Sequence, residues 1–265
     1  MKYVVFLVTV VTVYLVTWKG HAQTRPEPLQ AVAFEQNLGA QLPLDAEFRN
    51  ERGERVTLAR YFSGGDRPVV VALGYLECPM LCTLVHAGLV RALQQLKLDL
   101  GKDFHVVSVS IDPAEPPELA LAQKRRYVAE YGRHGAADGW HSLVGDEASI
   151  RRVAETLGYS YAYDAETDQY AHPSGIVVVT PEGRVSRYFQ GVDYDPAALR
   201  LGLVEASELR IGTAVDRLVL RCFRYDPETG RYNLLVGQLL SALALLTVVI
   251  LVAGVGVMIW QERRS

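Results

Sequence analysis

Pro68 opens an unbroken apolar run, Val69-Val70-Val71-Ala72-Leu73-Gly74-Tyr75. A strand of that composition needs cover on both faces, so the chain must build layers on either side of a sheet. Phe104 to Ile111 has the same character. Between the two, Met80 to Leu100 sets Leu81, Leu84, Val85, Leu89, Leu93 and Leu96 near three-to-four spacing, which predicts a helix with Gly101 as its stop.

The pattern continues downstream. Pro116-Pro117-Glu118 starts a helix that runs through Tyr131, with proline in the first turn where its missing N–H costs nothing. Asp146 to Leu157 reads as another helix, stopped by Gly158. Gly175 to Thr180 and Arg184 to Gln190 read as strands joined by the turn Pro181-Glu182-Gly183, and Asp195 to Leu209 as a last amphipathic helix. Upstream, Asn50-Glu51-Arg52-Gly53 within Phe48 to Leu58 suggests a small N-terminal hairpin. The order implies an α/β fold, a three-layer sandwich of a central mixed sheet with helices on both faces. It is the thioredoxin-like arrangement with an inserted helix.

Composition narrows the function classes. The 49% apolar and 22% charged residues exclude a disordered or collagen-like chain. Setting aside Lys2 and Lys19 at one end and Glu262, Arg263 and Arg264 at the other, 27 basic against 30 acidic residues becomes 23 against 29. That balance argues against nucleic acid as a partner. Three cysteines, Cys78, Cys82 and Cys222, are too few for a disulfide-held scaffold, so any cysteine chemistry sits at one place.

The ends predict a topology. Tyr3 to Trp18 is an apolar run behind Lys2, with Gly20 and Ala22 at the small positions of a cleavage site, so residues 1–22 read as a signal peptide. Leu234 to Trp260 carries no charge; at 1.5 Å per residue it would reach about 40 Å, beyond a hydrocarbon layer of roughly 30 Å. It reads as a C-terminal transmembrane helix with Trp260 at the interface and Arg263 and Arg264 on the cytoplasmic side. The expected organisation is a leader over 23–39, a globular domain over 40–210, a juxtamembrane segment over 211–233, the span at 234–260 and a tail at 261–265. The globular domain would then sit at the cell membrane on its exported, periplasmic side.

Cys78-Pro79-Met80-Leu81-Cys82 falls where a buried strand runs into a helix. Backbone N–H groups and the positive end of the helix dipole collect there, which favours thiolate at the first sulfur. Cys82, four residues on, projects from about the same helix face. The pair can converge on one soft cation or join as a disulfide, and thiolates favour Cu(I) while also binding zinc. Among the histidines, His86 continues the same helix and reads as a core residue. His105, His134 and His141 carry no functional signal. His172, in Ala171-His172-Pro173-Ser174 just before a strand, lies at the sheet end where the cysteine helix begins, so its imidazole could close a Cys-Cys-His site.

At this point the chain resembles the Sco/SenC family. The matching pieces are Gly74-Tyr75-Leu76-Glu77-Cys78-Pro79-Met80-Leu81-Cys82, Val107 to Pro113 with Pro117-Glu118, Trp140 to Gly145, and His172 followed by Val178 to Gly183. The resemblance implies a thioredoxin fold, a membrane tether and a copper ion, Cu(I) or Cu(II), held by Cys78, Cys82 and His172. It implies delivery of that copper to the binuclear copper site of cytochrome c oxidase subunit II, with a further copper carrier or a thiol reductant as additional partners. It also implies that Cys78 and Cys82 cycle as a redox-active pair, which leaves a thiol-disulfide oxidoreductase as the alternative function. Leu76, Thr83 and Ala171 depart from the family, which often has Thr, Pro and Asp there; the missing Asp would deprive the imidazole of a partner. Met80 reads as an apolar gap-filler. Cys222 lies outside the match, as an unpaired thiol, an intermolecular disulfide or a third sulfur, beside an expected turn over Asp226 to Gly230. Asp112 with Glu115 suggests an acid/base pair but reads more simply as a strand-end turn.

Overall fold

The fold is that of a computed structural model, which describes residues 32–62, 65, 67–78, 81–208, 223–226, 231–234 and 247. In chain order these form β1 (Ala33–Phe34), β2 (Glu47–Arg49), β3 (Arg55–Thr57), β4 (Val69–Gly74) and α1 (Leu81–Gln95). Next come β5 (His105–Ser110), α2 (Pro117–Tyr131), the single turn α3 (Ala136–Gly139), β6 (Trp140–Leu143) and α4 (Glu147–Thr156). The series ends with β7 (Tyr159–Ser160), β8 (Ala162–Asp164), β9 (Gln169–Ala171), β10 (Gly175–Val179), β11 (Val185–Gln190), α5 (Pro196–Ala206), β12 (Phe223–Asp226) and β13 (Arg231–Leu234).

The two apolar runs lie side by side inside a five-stranded sheet of order β11-β10-β4-β5-β6. β4, β5 and β6 are parallel, while β10 runs antiparallel to both β4 and β11. All six residues of β4 are buried, as its composition demands. Val69, Val71 and Leu73 face Ile150 and Val153 of α4, Leu157 just after it, and Phe48 of the β2–β3 hairpin. Val70 and Ala72 face Val85, Leu89 and Leu93 of α1 and Leu199 and Leu203 of α5. A buried side chain of this size contributes about 1.5–3 kcal/mol of transfer free energy, so both layers are needed to hold the strand.

The expected hairpin forms through Asn50, whose Oδ1 accepts from the N–H groups of Arg52 and Glu54. Asp146 caps α4 by accepting from Ser149 N–H, and Asp195 caps α5 through Ala197 N–H. The helix expected to reach Leu100 ends at Gln95. Arg133 takes the carbonyls of Gln94, Leu96 and Leu98, which draws the chain out of helical geometry. Local pattern gave no sign of β6, at one edge of the sheet, or of the β8–β9 hairpin that leads into His172.

The transmembrane helix is a correction. Among the described residues no helix is long and apolar enough to cross a membrane, the longest having 15 residues, and the expected span at 234–260 falls almost wholly outside them. Residues 1–22, Met80 and Cys222 also lie outside the described residues. The turn expected over 226–230 is flanked by β12 and β13, which pair antiparallel with Tyr225 opposite Tyr232.

Candidate metal centre

Three segments meet at the end of the sheet. The parallel crossover from β4 to β5 brings α1 back over the sheet with its N-terminus at the C-terminal edge of β4, so Cys78 and Cys82 straddle the strand-to-helix junction. The N–H of Cys82 donates to Cys78 Sγ at 3.3 Å, so the first sulfur does collect a helix N-terminal donor. The β8–β9 hairpin returns the chain to the same edge, and His172 follows β9 directly. Its Nε2 stands 3.1 Å from Cys82 Sγ. The ligand atoms of Cys78, Cys82 and His172 all lie within 4.8 Å of one another, the only such group among the described residues. The three residues are 8%, 4% and 7% exposed, so the donors face each other in a largely water-free space. A cleft of about 200 Å³ lined by Tyr75, Cys82, Thr83, Gln123, Arg126 and Tyr127 reaches the second sulfur.

The surroundings set the protonation of the group. The hydrogen bond with Cys78 and then burial push the Cys82 thiol up, so without a metal it keeps its proton. Burial, and then the hydrogen bond with Cys78, also push the Tyr75 phenol up. Its ring meets that of His172 edge-on at 5.8 Å. The far side of the imidazole is not bare despite Ala171: Nδ1 lies 2.7 Å from Tyr159 Oη and 2.8 Å from Pro173 O. The partner expected to be missing is supplied by a phenol from the start of β7.

Two further residues shape the site. Glu115, 7% exposed, accepts from the N–H groups of Leu76 and Glu77 at 2.6 and 2.9 Å and from Ser110 Oγ at 2.5 Å. It fixes the turn that leads into Cys78. Burial pushes its carboxyl up although these donors oppose the shift. Gly74 leaves the volume that the second sulfur fills, since a Cβ there would stand 2.7 Å from Cys82 Sγ. Neither role was visible in the sequence, which offered Glu115 only as half of an acid/base pair. Asp112 makes the strand-end turn, its Oδ1 accepting from Ala114 N–H.

The other histidines stay out of the group. His86 is the core residue expected: Nδ1 meets Cys82 O and Nε2 meets Ser108 Oγ, both at 2.9 Å. Burial brings it down to about 4. His141 packs on Tyr61 and is likewise held at about 4 by burial, and His134 is exposed.

Two sulfurs and one ring nitrogen at this spacing fit a single soft ion. Donors bonded at about 2.0–2.3 Å stand some 3–4.5 Å apart, which the group meets with small adjustments. A buried set of only three protein donors leaves room for an incoming ligand, as exchange of a metal requires.

The fold and the donor set define a thioredoxin-like domain with a Cys-Cys-His group able to hold a metal ion. The sequence matches the SCO1/SenC family over residues 36–203, and the chain belongs to that family. A candidate copper-binding protein of Stutzerimonas stutzeri is 22% identical over 117 residues, 43% of this chain and 53% of that protein, so the match spans about half of the relative's length. A candidate electron transfer protein from Aquifex aeolicus VF5 superposes with a TM-score of 0.56 at 22% identity, covering 64% of this chain and 94% of that one. Arabidopsis thaliana ScoI, solved with copper bound, gives 0.47 at 18% identity over 64% and 98%.

Proposed function

We propose that this protein holds one copper ion on Cys78, Cys82 and His172 and serves in cytochrome c oxidase assembly by passing that ion to the binuclear copper site of subunit II. The observation that carries the reading is the convergence of two sulfurs and Nε2 of His172 within 4.8 Å. Membership of the SCO1/SenC family and the copper-binding description of the Stutzerimonas relative support copper over zinc. Copper here is cargo. The cysteines must release their protons as it arrives and regain them as it leaves, so the raised Cys82 thiol favours release. The signal-like residues 1–22 support an exported place of work, which fractionation of cells with an activity-neutral tag would test.

The deciding experiment is genetic and chemical together. Cells carrying Cys78→Ala in place of the native gene should assemble an oxidase depleted of subunit II copper, and added copper should restore part of it. A fully metallated oxidase in those cells overturns the reading.

The N–H of Cys82 on Cys78 Sγ also favours a second reading, a thiol-disulfide oxidoreductase in which Cys78 attacks a disulfide on a partner and Cys82 resolves the mixed disulfide. A Cys82→Ser variant should then trap an oxidase subunit through Cys78. Absence of any trapped species rejects this reading without touching the first.

A further inference from the structure

Tyr159 joins the candidate ligand His172 to the sheet through one hydroxyl. It stands at the start of β7, 2% exposed, one residue beyond the glycine that ends α4. Its phenol oxygen lies 2.9 Å from Leu73 O in β4, 3.0 Å from Pro173 O and 2.7 Å from His172 Nδ1. A phenol has one proton to give and lone pairs to receive. The two carbonyls can only accept, so the O–H must go to one of them. The contact with Nδ1 is then satisfied only if Nδ1 carries hydrogen and donates to Oη. Pro173 O, 2.8 Å from the same nitrogen, demands the same thing, because a bare Nδ1 would face a carbonyl lone pair. With the proton on Nδ1, Nε2 is left with its lone pair, and Nε2 is the atom aimed at Cys82 Sγ at 3.1 Å.

We infer that Tyr159 is the positioning residue of the metal centre: clamped to the backbone of β4, it holds His172 in the Nδ1–H tautomer and fixes the ring so that Nε2 faces the two sulfurs. Its phenol does the work that a carboxylate or carbonyl does behind many metal-bound imidazoles. Being neutral, it orients the ring without adding negative charge. The rigid link to Leu73 O ties ring orientation to the same strand whose end carries Gly74 and the cysteine loop. This inference rests on the copper reading only for its second test.

The first test needs neither metal nor variant. Long-range proton–nitrogen NMR of the reduced, metal-free protein at neutral pH should show His172 with hydrogen on Nδ1. Hydrogen on Nε2 overturns the inference whatever the protein binds. The second test is Tyr159→Phe, which keeps the ring and its packing but removes the hydroxyl. It should bind Cu(I) about 10- to 100-fold more weakly than the wild type and show both tautomers in the metal-free state. Wild-type affinity and an unchanged tautomer in this variant would overturn the inference. A wild-type protein that takes no copper would defeat the copper reading instead, and the tautomer would still decide the role of Tyr159.

Discussion

Gly74→Ala addresses the placement of the second sulfur with the smallest change available. The added Cβ would sit 2.7 Å from Cys82 Sγ and 3.4 Å from Cys82 Cβ. Non-bonded contacts of this kind settle near 3.5–4.0 Å, so the sulfur must retreat by about 1 Å. β4 is hydrogen-bonded on both sides and buried on both faces, which leaves the sulfur, not the strand, as the part that moves. Overpacking of a rigid site costs about 1–3 kcal/mol. If that strain is felt when the sulfurs close on the ion, Cu(I) affinity falls roughly 5- to 150-fold. Competition against a Cu(I) chelator under reducing conditions measures it, with a thermal melt on the same samples. Gly88→Ala is the control. Its Cβ would stand 1.9 Å from Val192 O, away from the sulfurs, so it should lower Tm and leave the affinity of the folded protein unchanged. Wild-type copper affinity in Gly74→Ala, with or without a lower Tm, would show that Cys82 Sγ does not occupy the space Gly74 leaves.

His86 makes stability depend on pH, because its folded value near 4 lies below the ordinary 6.5. The unfolded chain therefore takes the proton first: the contribution is complete above pH 6.5, is lost as pH falls toward 4, and amounts to about 3 kcal/mol. Urea unfolding at pH 7 and pH 4 should show that much less pH dependence in His86→Gln than in the wild type, and equal slopes would refute the burial argument. Glu115→Ala strips the acceptor from Leu76 N–H, Glu77 N–H and the Ser110 hydroxyl, so stability should fall by about 1–3 kcal/mol. Amide exchange at Leu76 and Glu77 should quicken in step, and unchanged protection there would remove Glu115 from the loop.

Residues that announce themselves by local pattern were legible in the sequence, and residues that act across space were not. The apolar run at β4, the helix that starts at Asp146 and the Asn50 turn each encode their own geometry and appear where expected, whereas the three-to-four spacing of α1 gave the helix but not its end, which comes at Gln95 and not Leu100. Cys78 and Cys82 were legible because they stand four residues apart across a strand-to-helix junction that the sequence marks. His172 was legible from its loop just ahead of β10, but its approach depends on the β8–β9 hairpin, whose strands of three residues have too little periodicity to read. Tyr159 gave no signal and Glu115 only that of an acid/base pair, since each takes its role through backbone atoms 14 to 86 positions away. The apolar C-terminal stretch suggested a span, and among the described residues no helix is long and apolar enough to cross a membrane.

X-ray absorption at the copper edge, on protein loaded with one equivalent of Cu(I), tests the metal centre most directly. The wild type should show two sulfur scatterers and one imidazole nitrogen around the ion, and His172→Ala should lose the nitrogen while keeping both sulfurs. An identical first shell in the two proteins, or a wild type that holds copper without sulfur, would contradict the assignment of Cys78, Cys82 and His172.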